Sequence, residues 1–139
     1  MRASAACGEN LGGGLGSKRK KILVVDDEPS VLEGIGLLLS SAGYDAKLVA
    51  SGEEAVRAAE NENFDLVLMD LILPGMDGKA TCEKIKAIRP FIHVIAISGS
   101  PTGGRMEELV KSGDVDFCLY KPFGKDKLLD GVNKILFPC

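Results

Sequence analysis

The sequence is poor in aromatic residues and in the residues that bind zinc. It has no tryptophan, aromatic residues make up 5% of the chain, and histidine occurs once, as His93. Aromatic platforms that stack nucleic-acid bases are therefore not expected. The four cysteines include no CxxC pair, so the sequence predicts neither a structural zinc site nor a redox dithiol. We interpret them as reduced thiols of a cytoplasmic protein.

Long apolar segments and an excess of basic charge are also missing. No apolar run reaches the ~18 residues that a membrane-spanning helix needs. The net charge is −3, which argues against direct binding of nucleic acid. Residues 1–21 carry five basic residues and one acidic residue, whereas residues 22–139 carry 12 basic and 19 acidic residues. The folded part is therefore acidic, which suits a cation or a basic partner.

The chain of 139 residues, 45% of them apolar, is long enough for one domain with its own core. Five of residues 1–16 are glycine. We therefore predict a flexible tail over residues 1–19 and one folded domain over residues 20–137. We find no internal repeat.

After the tail, apolar runs of strand length alternate with apolar stripes at helical spacing. Predicted strands cover residues 22–26, 45–49, 64–71, 94–98 and 115–120, and predicted helices begin near residues 29, 51, 77, 101 and 125. Strands that are apolar on both faces and alternate with helices predict an α/β fold. We expect a five-stranded parallel sheet with five helices covering its two sides.

Polar side chains follow the predicted strands where each strand ends. Asp26 and Asp27 end the first strand, Asp70 ends the third, Ser98 the fourth, and Lys121 follows the fifth. Ligands of parallel sheets bind beyond the carboxyl ends of the strands, so these side chains should share one rim. Each residue alone has an ordinary explanation at a strand end, but their joint placement favours a site.

A cluster of carboxylates needs a counter-charge. Two carboxylates ~4 Å apart repel by about 4 kcal/mol at an effective dielectric of ~20. Oxygen ligands without histidine or thiolate suit magnesium. A metal ion together with a lysine would attract a phosphoryl group, and a carboxylate can itself accept that group as an aspartyl-phosphate. The hydroxyl of Ser98 could then donate to a phosphate oxygen.

Four motifs carry a resemblance to a known family. They are Val24 to Pro29 (VVDDEP), Asp65 to Gly78 (DLVLMDLILPGMDG), Ser98-Gly99, and Lys121-Pro122-Phe123. Over about residues 20–137 the sequence resembles the CheY-like receiver domain of two-component response regulators. The resemblance implies a doubly wound α/β fold with the flavodoxin-like strand order 2-1-3-4-5.

The resemblance also implies a role for each candidate residue. Asp70 would be the phosphoacceptor. Mg²⁺ would be bound by Asp27, Asp70 and the backbone carbonyl of Ile72, and through a water molecule by Asp26. Lys121 would pair with the phosphoryl oxygens, and Ser98 would move toward the phosphate and pull the adjoining loop with it.

The implied function is a phosphoacceptor signalling domain in the cytoplasm, not an enzyme beyond its own phosphorylation and dephosphorylation. The donor would be a histidine kinase or a histidine phosphotransfer protein, and the receiver of the signal an effector protein or output domain. We expect a monomer or a phosphorylation-linked dimer with no contact to membrane or nucleic acid. The domain could stand alone or be a module of a hybrid histidine kinase or larger regulator.

Three other functions have less support. An aspartyl-phosphate phosphatase of the haloacid-dehalogenase type needs an acid two residues after the nucleophile, where this chain has Ile72. A flavodoxin-like carrier needs a phosphate-binding loop after the first strand, where acidic residues stand instead. A degenerate receiver would be expected to lack Asp27, Asp70 or Lys121.

One position departs from the family pattern. Receivers usually have an aromatic residue three positions before the lysine, and this chain has Cys118 there, preceded by Phe117. Either Phe117 takes the aromatic role through a local shift, or the aromatic half of the switch is altered. His93 begins the fourth predicted strand, at the far end of the sheet, and we expect it to be structural.

Overall fold

The computed structural model describes residues 19–71, 78–98, 113, 115–121 and 123–137. Most of the predicted tail, the predicted helix from residue 101 to 111 and the carbonyl of Ile72 lie outside these ranges. In the described part of the chain, none of the helices is both long enough and apolar enough to cross a membrane.

The described residues form five strands and four helices. In chain order they are β1 (Lys21–Val25), α1 (Pro29–Ser41), β2 (Asp45–Val49), α2 (Gly52–Asn61), β3 (Leu66–Asp70), α3 (Gly78–Ile88), β4 (His93–Ser98), β5 (Phe117–Tyr120) and α4 (Lys125–Leu136). The predicted alternation of strands and helices is confirmed over these ranges.

The strands form one parallel sheet in the order β2-β1-β3-β4-β5. This is the predicted 2-1-3-4-5 order. The chain passes from β1 to β2 on one side and then places β3 on the other side of β1. In open parallel sheets, the carboxyl ends of the strands at such a reversal are the usual place for a ligand.

Strand β5 begins two residues later than predicted. The Asp116 N–H donates to Val94 O at 2.8 Å, and the Asp116 carboxylate accepts from Val94 N at 2.9 Å. A side chain therefore takes the amide hydrogen that a neighbouring strand carbonyl would otherwise accept. The ladder with β4 consequently starts at Phe117, which pairs with Ile95.

Short sequence signals set the helix ends. Pro29 stands in the first turn of α1, where its missing N–H leaves no hydrogen bond unmade. Gly43 adopts a φ of +95° just after α1, a conformation that other residues rarely take. Ser51 caps α2, since its Oγ accepts a hydrogen bond from Glu54 N at 3.2 Å.

The core has two halves, one on each side of the sheet. Leu23 and Val25 face a cluster that includes side chains of α2 and α3. Ile22 and Val24 face a second cluster that includes side chains of α1 and α4. Strands β1 and β3 are therefore packed from both sides, which fixes the positions of the acidic residues at their carboxyl ends.

Candidate functional site

Strands β1 and β3 pair directly and bring three aspartates together. Asp26 follows β1 and is 1% exposed, while Asp70 ends β3 and is 5% exposed. Asp27 is exposed to solvent. One carboxylate oxygen from each of the three residues lies within 4.8 Å of the others. The acidic cluster expected at this rim is therefore present in the structure.

Lys121 joins the two buried aspartates. Its Nζ lies 3.1 Å from Asp26 Oδ2 and 3.2 Å from Asp70 Oδ2. Its backbone N–H donates to Ser98 O at 2.8 Å, which continues the β4–β5 ladder and fixes where the side chain starts. Partial burial disfavours the charged ammonium, but the hydrogen bonds to both carboxylates and their charge outweigh it, so the pKa of Lys121 is raised.

The adjacent acids Asp26 and Asp27 have different environments. The Glu28 N–H donates to Asp26 Oδ1 at 2.9 Å, and Asp26 Oδ2 accepts from Lys121. Both oxygens of Asp26 are therefore engaged by the protein. Asp27 faces solvent, where its carboxylate can approach an ion directly. The pairing of Lys121 with Asp26 was not predicted, since the sequence gives no signal for which of two neighbouring acids points inward.

Three carboxylates thus lie close together at this rim, and two of them, Asp26 and Asp70, share the Lys121 ammonium. Carboxylates ~5 Å apart repel by about 3 kcal/mol at an effective dielectric of ~20. The donor set consists of carboxylate oxygens, without nitrogen or sulfur ligands among the described residues of the cluster. Hard oxygen donors of this kind fit Mg²⁺ or another hard divalent cation.

Ser98 is 5% exposed and is the last residue of β4. The residue before it, Ile97, pairs with Asp70 of β3. The structure therefore places Ser98 on the same rim as the aspartates and Lys121. The backbone carbonyl of Ile72, the remaining predicted ligand, belongs to a segment outside the described residues.

The structure separates Phe117 from Cys118. Phe117 packs on α4, where a Cβ built on Gly131 would lie 2.9 Å from Phe117 Cε2. Cys118 pairs with Ala96 and packs against the core on the opposite side of the sheet. Phe117 and Cys118 therefore lie on opposite faces of the sheet, and Cys118 is the residue three positions before Lys121. Burial raises the pKa of the Cys118 thiol.

His93 lies away from this rim. It begins β4, is exposed, and places Nδ1 3.5 Å from Asp116 Oδ2. Its position at the opposite end of the sheet agrees with the prediction that it takes no part in the site.

Comparison with curated proteins identifies relatives among regulators and kinases. The family described as "Response regulator receiver domain" matches residues 22–133. Transcriptional regulatory protein ZraR of Salmonella typhimurium is 36% identical over 115 residues, which cover 83% of this chain and 26% of ZraR. Sensor protein GacS of Pseudomonas syringae is 34% identical over 137 residues, which cover 95% of this chain and 15% of GacS. The chain thus spans about a quarter or less of these proteins.

Solved structures agree with the family match. A CheY-like receiver domain protein from Methanospirillum hungatei superposes with a TM-score of 0.81 at 30% identity, covering 86% of this chain and 94% of that chain. The receiver domain of sensor histidine kinase PA1611 from Pseudomonas aeruginosa, which has a magnesium ion in its active-site cleft, gives a TM-score of 0.77 at 32% identity over 86% and 98% of the two chains. The chain belongs to the response regulator receiver domain family of two-component signalling systems.

Proposed function

We propose that the chain accepts a phosphoryl group on Asp70 from a histidine of a partner kinase or phosphotransfer protein, and that phosphorylation changes its affinity for a downstream partner. The observation that carries the proposal is the contact of the Lys121 ammonium with Asp70, 3.2 Å apart, inside a cluster of three carboxylates. This arrangement provides a nucleophile, a fixed positive charge and oxygen ligands for a cation in one place.

The proposed metal ligands are Asp27 and Asp70, together with the backbone carbonyl of Ile72. Asp26 would act through a water molecule, which agrees with the engagement of both its oxygens by Glu28 and Lys121. When bound, Mg²⁺ supplies two positive charges beside the acceptor carboxylate. The magnesium ion in the receiver domain of PA1611 supports this assignment by analogy.

In the proposed transfer, an Asp70 carboxylate oxygen attacks the phosphorus of a phosphohistidine. The P–O bond forms as the P–N bond breaks, and the histidine ring keeps the electron pair of the broken bond. Lys121 holds a positive charge where the phosphoryl oxygens arrive, because its pKa is raised. Phosphoryl transfer depends mainly on such positioning and charge neutralisation.

The switch would pass through the side chains beside the phosphate. The Ser98 hydroxyl would donate to a phosphoryl oxygen and draw its loop toward the site. To move a two-state equilibrium from 1:99 to 99:1, phosphorylation must favour the active state by about 5.5 kcal/mol. A doubly charged phosphate with a metal, an ammonium and a hydroxyl as partners can supply much of this difference. With Cys118 in place of an aromatic residue, this chain would switch without a large ring at that position.

We propose a domain from residue 20 to 137 that serves either as a separate regulator or as a module of a larger protein. The phosphatase alternative has less support because Ile72 offers no acid to protonate a leaving group. A degenerate receiver also has less support, since Asp27, Asp70 and Lys121 are all present.

Incubation with acetyl phosphate and Mg²⁺, followed by intact-mass measurement, tests the proposal. We expect one added phosphoryl group per chain, none when EDTA replaces Mg²⁺, and none in the Asp70→Asn variant. Asp45→Asn is the matched control, because Asp45 is an exposed acid at the start of β2. Equal labelling of the Asp70→Asn variant would refute the assignment, and steady hydrolysis of an added phosphoester would favour a phosphatase.

A further inference from the structure

The end of the sheet opposite the acidic cluster contains an open groove with a volume of about 440 Å³. It lies between the amino ends of β1, β3 and β4 and the carboxyl ends of α3 and α4. Because the strands are about five residues long and rise ~3.3 Å per residue, the groove lies roughly 15 Å from the aspartates. The proposed phosphoacceptor chemistry does not use this region.

The lining of the groove combines apolar side chains with polar and charged ones. Phe64 and Ile92 are buried at its base, with exposures of 7% and 4%. Beside them Phe91 is 93% exposed, which is unusual for a large aromatic side chain. The Ile92 N–H donates to Arg89 O at 3.1 Å and closes the turn that carries Phe91. A large exposed ring held outward by a closed turn, beside the buried side chains of Phe64 and Ile92, is typical of a contact surface.

Three cations lie near these side chains, and none of them forms an ion pair with a carboxylate in the ranges that the structure describes. The Lys20 ammonium lies 5.9 Å from the centre of the Phe137 ring. The Arg89 guanidinium donates to the carbonyl oxygens of Ala59 and Glu62 at 3.2 and 3.4 Å, and Lys86 Nζ donates to Ile92 O at 2.6 Å. Rings and carbonyls orient these cations but do not neutralise their charge.

The acidic groups near the groove are engaged by the backbone. Asp65, the carboxylate among the described lining residues, accepts a hydrogen bond from Lys21 N at 2.9 Å. Asp116 accepts from Val94 N and lies beside the ring of His93. Two cations, Lys20 and Arg89, stand against one carboxylate, Asp65, among the described lining residues, so the balance of charge is positive on a domain that is acidic elsewhere. By charge complementarity, its ligand should be negative.

We infer that the groove is a docking surface for a partner protein segment that is acidic and carries an apolar side chain. The apolar residue would lie against Phe64, Ile92 and Phe91, and flanking carboxylates would pair with Lys20, Lys86 and Arg89. This contact is separate from the phosphoacceptor site, so it would hold a partner in either phosphorylation state. Pairing of exposed charges makes the affinity sensitive to salt.

The test is an NMR titration of the ¹⁵N-labelled chain with a hexapeptide that alternates glutamate with leucine and phenylalanine. We expect saturable shifts confined to amides around Lys20, residues 88–93 and the end of α4. A matched peptide with lysine in place of glutamate should cause no such shifts. Phe91→Ala and Lys20→Glu should each weaken binding by about fivefold or more, as anchor residues of a contact do.

Leu37→Ala and Lys125→Glu are the matched controls, because both positions are exposed and lie outside the groove. They should leave the titration unchanged. The inference is overturned if the acidic peptide causes no shifts at the groove, if the lysine peptide binds equally well, or if Phe91→Ala has no effect. Spectra of the variants without peptide report whether each remains folded, so a lost contact is distinguished from a lost fold.

Discussion

The two ends of the parallel sheet carry acidic residues in opposite settings. At the amino end, Asp65 and Asp116 accept backbone hydrogen bonds from Lys21 N and Val94 N, both at 2.9 Å. There the half-buried Glu62 is also paired with two lysines, Lys21 and Lys47. At the carboxyl end, Asp26 and Asp70 are buried and share one ammonium, that of Lys121. Carboxylates at the amino end satisfy strand amides, whereas those at the carboxyl end crowd together.

The difference supports the proposal that the carboxyl end of the sheet performs the chemistry. Buried like charges cost stability, and proteins retain them mainly where function needs them. The exposed pairs of the amino end cost little and contribute little. Substitutions at the carboxyl end should therefore change the free energy of unfolding strongly, and a bound cation should alter the size of that change. Substitutions at the amino end should change it little, by an amount that depends on pH.

The largest effect is expected for Lys121→Ala. Removal of the ammonium leaves Asp26 and Asp70 buried without their shared partner, and breaking a buried ion pair usually costs 3–5 kcal/mol. Because the Lys121 side chain is 25% exposed, we expect a loss of about 2 kcal/mol in the free energy of unfolding, measured by urea denaturation. Added Mg²⁺ should restore part of this loss.

Lys47→Ala is the comparison for the amino end. The Lys47 ammonium binds Glu62 at 2.8 Å, but Glu62 also keeps Lys21 at 2.9 Å. The change in unfolding free energy should be close to the limit of measurement. Equal losses for the two lysine variants would contradict the difference between the ends.

The second-largest effect is the stabilisation of the unphosphorylated chain by Mg²⁺. At an ion concentration ten times the dissociation constant, binding to the folded state alone adds about 1.4 kcal/mol to the free energy of unfolding. Asp27→Asn should remove most of this gain because it deletes a proposed ligand that faces solvent, as thermal denaturation with and without Mg²⁺ would show. Asp45→Asn should keep the gain, and a similar loss in both variants would point to unspecific screening.

The smallest effect is the acid response of Glu62. Hydrogen bonds from Lys47 and then Lys21 lower the pKa of Glu62 from 4.5 to about 2. A carboxylate with a lowered pKa in the folded state stabilises the fold above its unfolded pKa, and that contribution disappears as the pH falls from about 4.5 to about 2. The difference in stability between the native chain and Glu62→Gln should be constant above pH ~5 and vanish near pH ~2. A difference that does not change between these pH values would contradict the assignment.

Most of the fold could be predicted because its signals are local. The five strand runs and the helix stripes depend on hydrophobic period alone. The cap at Ser51 and the stop at Gly43 depend on single residues. The start of β5 was predicted two residues early because Val115 is apolar, like the strand residues that follow it, and it is indeed buried. The side chain of Asp116, however, accepts the hydrogen bond of the Val94 amide, so the strand begins only after Asp116.

The candidate site was predictable in composition but not in detail. Parallel strands necessarily bring their carboxyl ends to one rim, which places Asp70, Ser98 and Lys121 together. The direction of neighbouring side chains is a different matter, because a slip of one residue turns a side chain to the other face of a sheet. For this reason the sequence left open how Phe117 and Cys118 are oriented, and the structure places Phe117 on the side of α4 and Cys118 on the side of α2 and α3.

The most direct test of the account locates the phosphoryl group. Treatment of the acetyl phosphate product with borohydride reduces an aspartyl-phosphate to homoserine, which peptide mass spectrometry then assigns to one position. We predict homoserine at Asp70 alone, and only in samples that contained Mg²⁺. Homoserine at Asp26, Asp27 or an acid of the amino end, or none at any position, would contradict the proposed function.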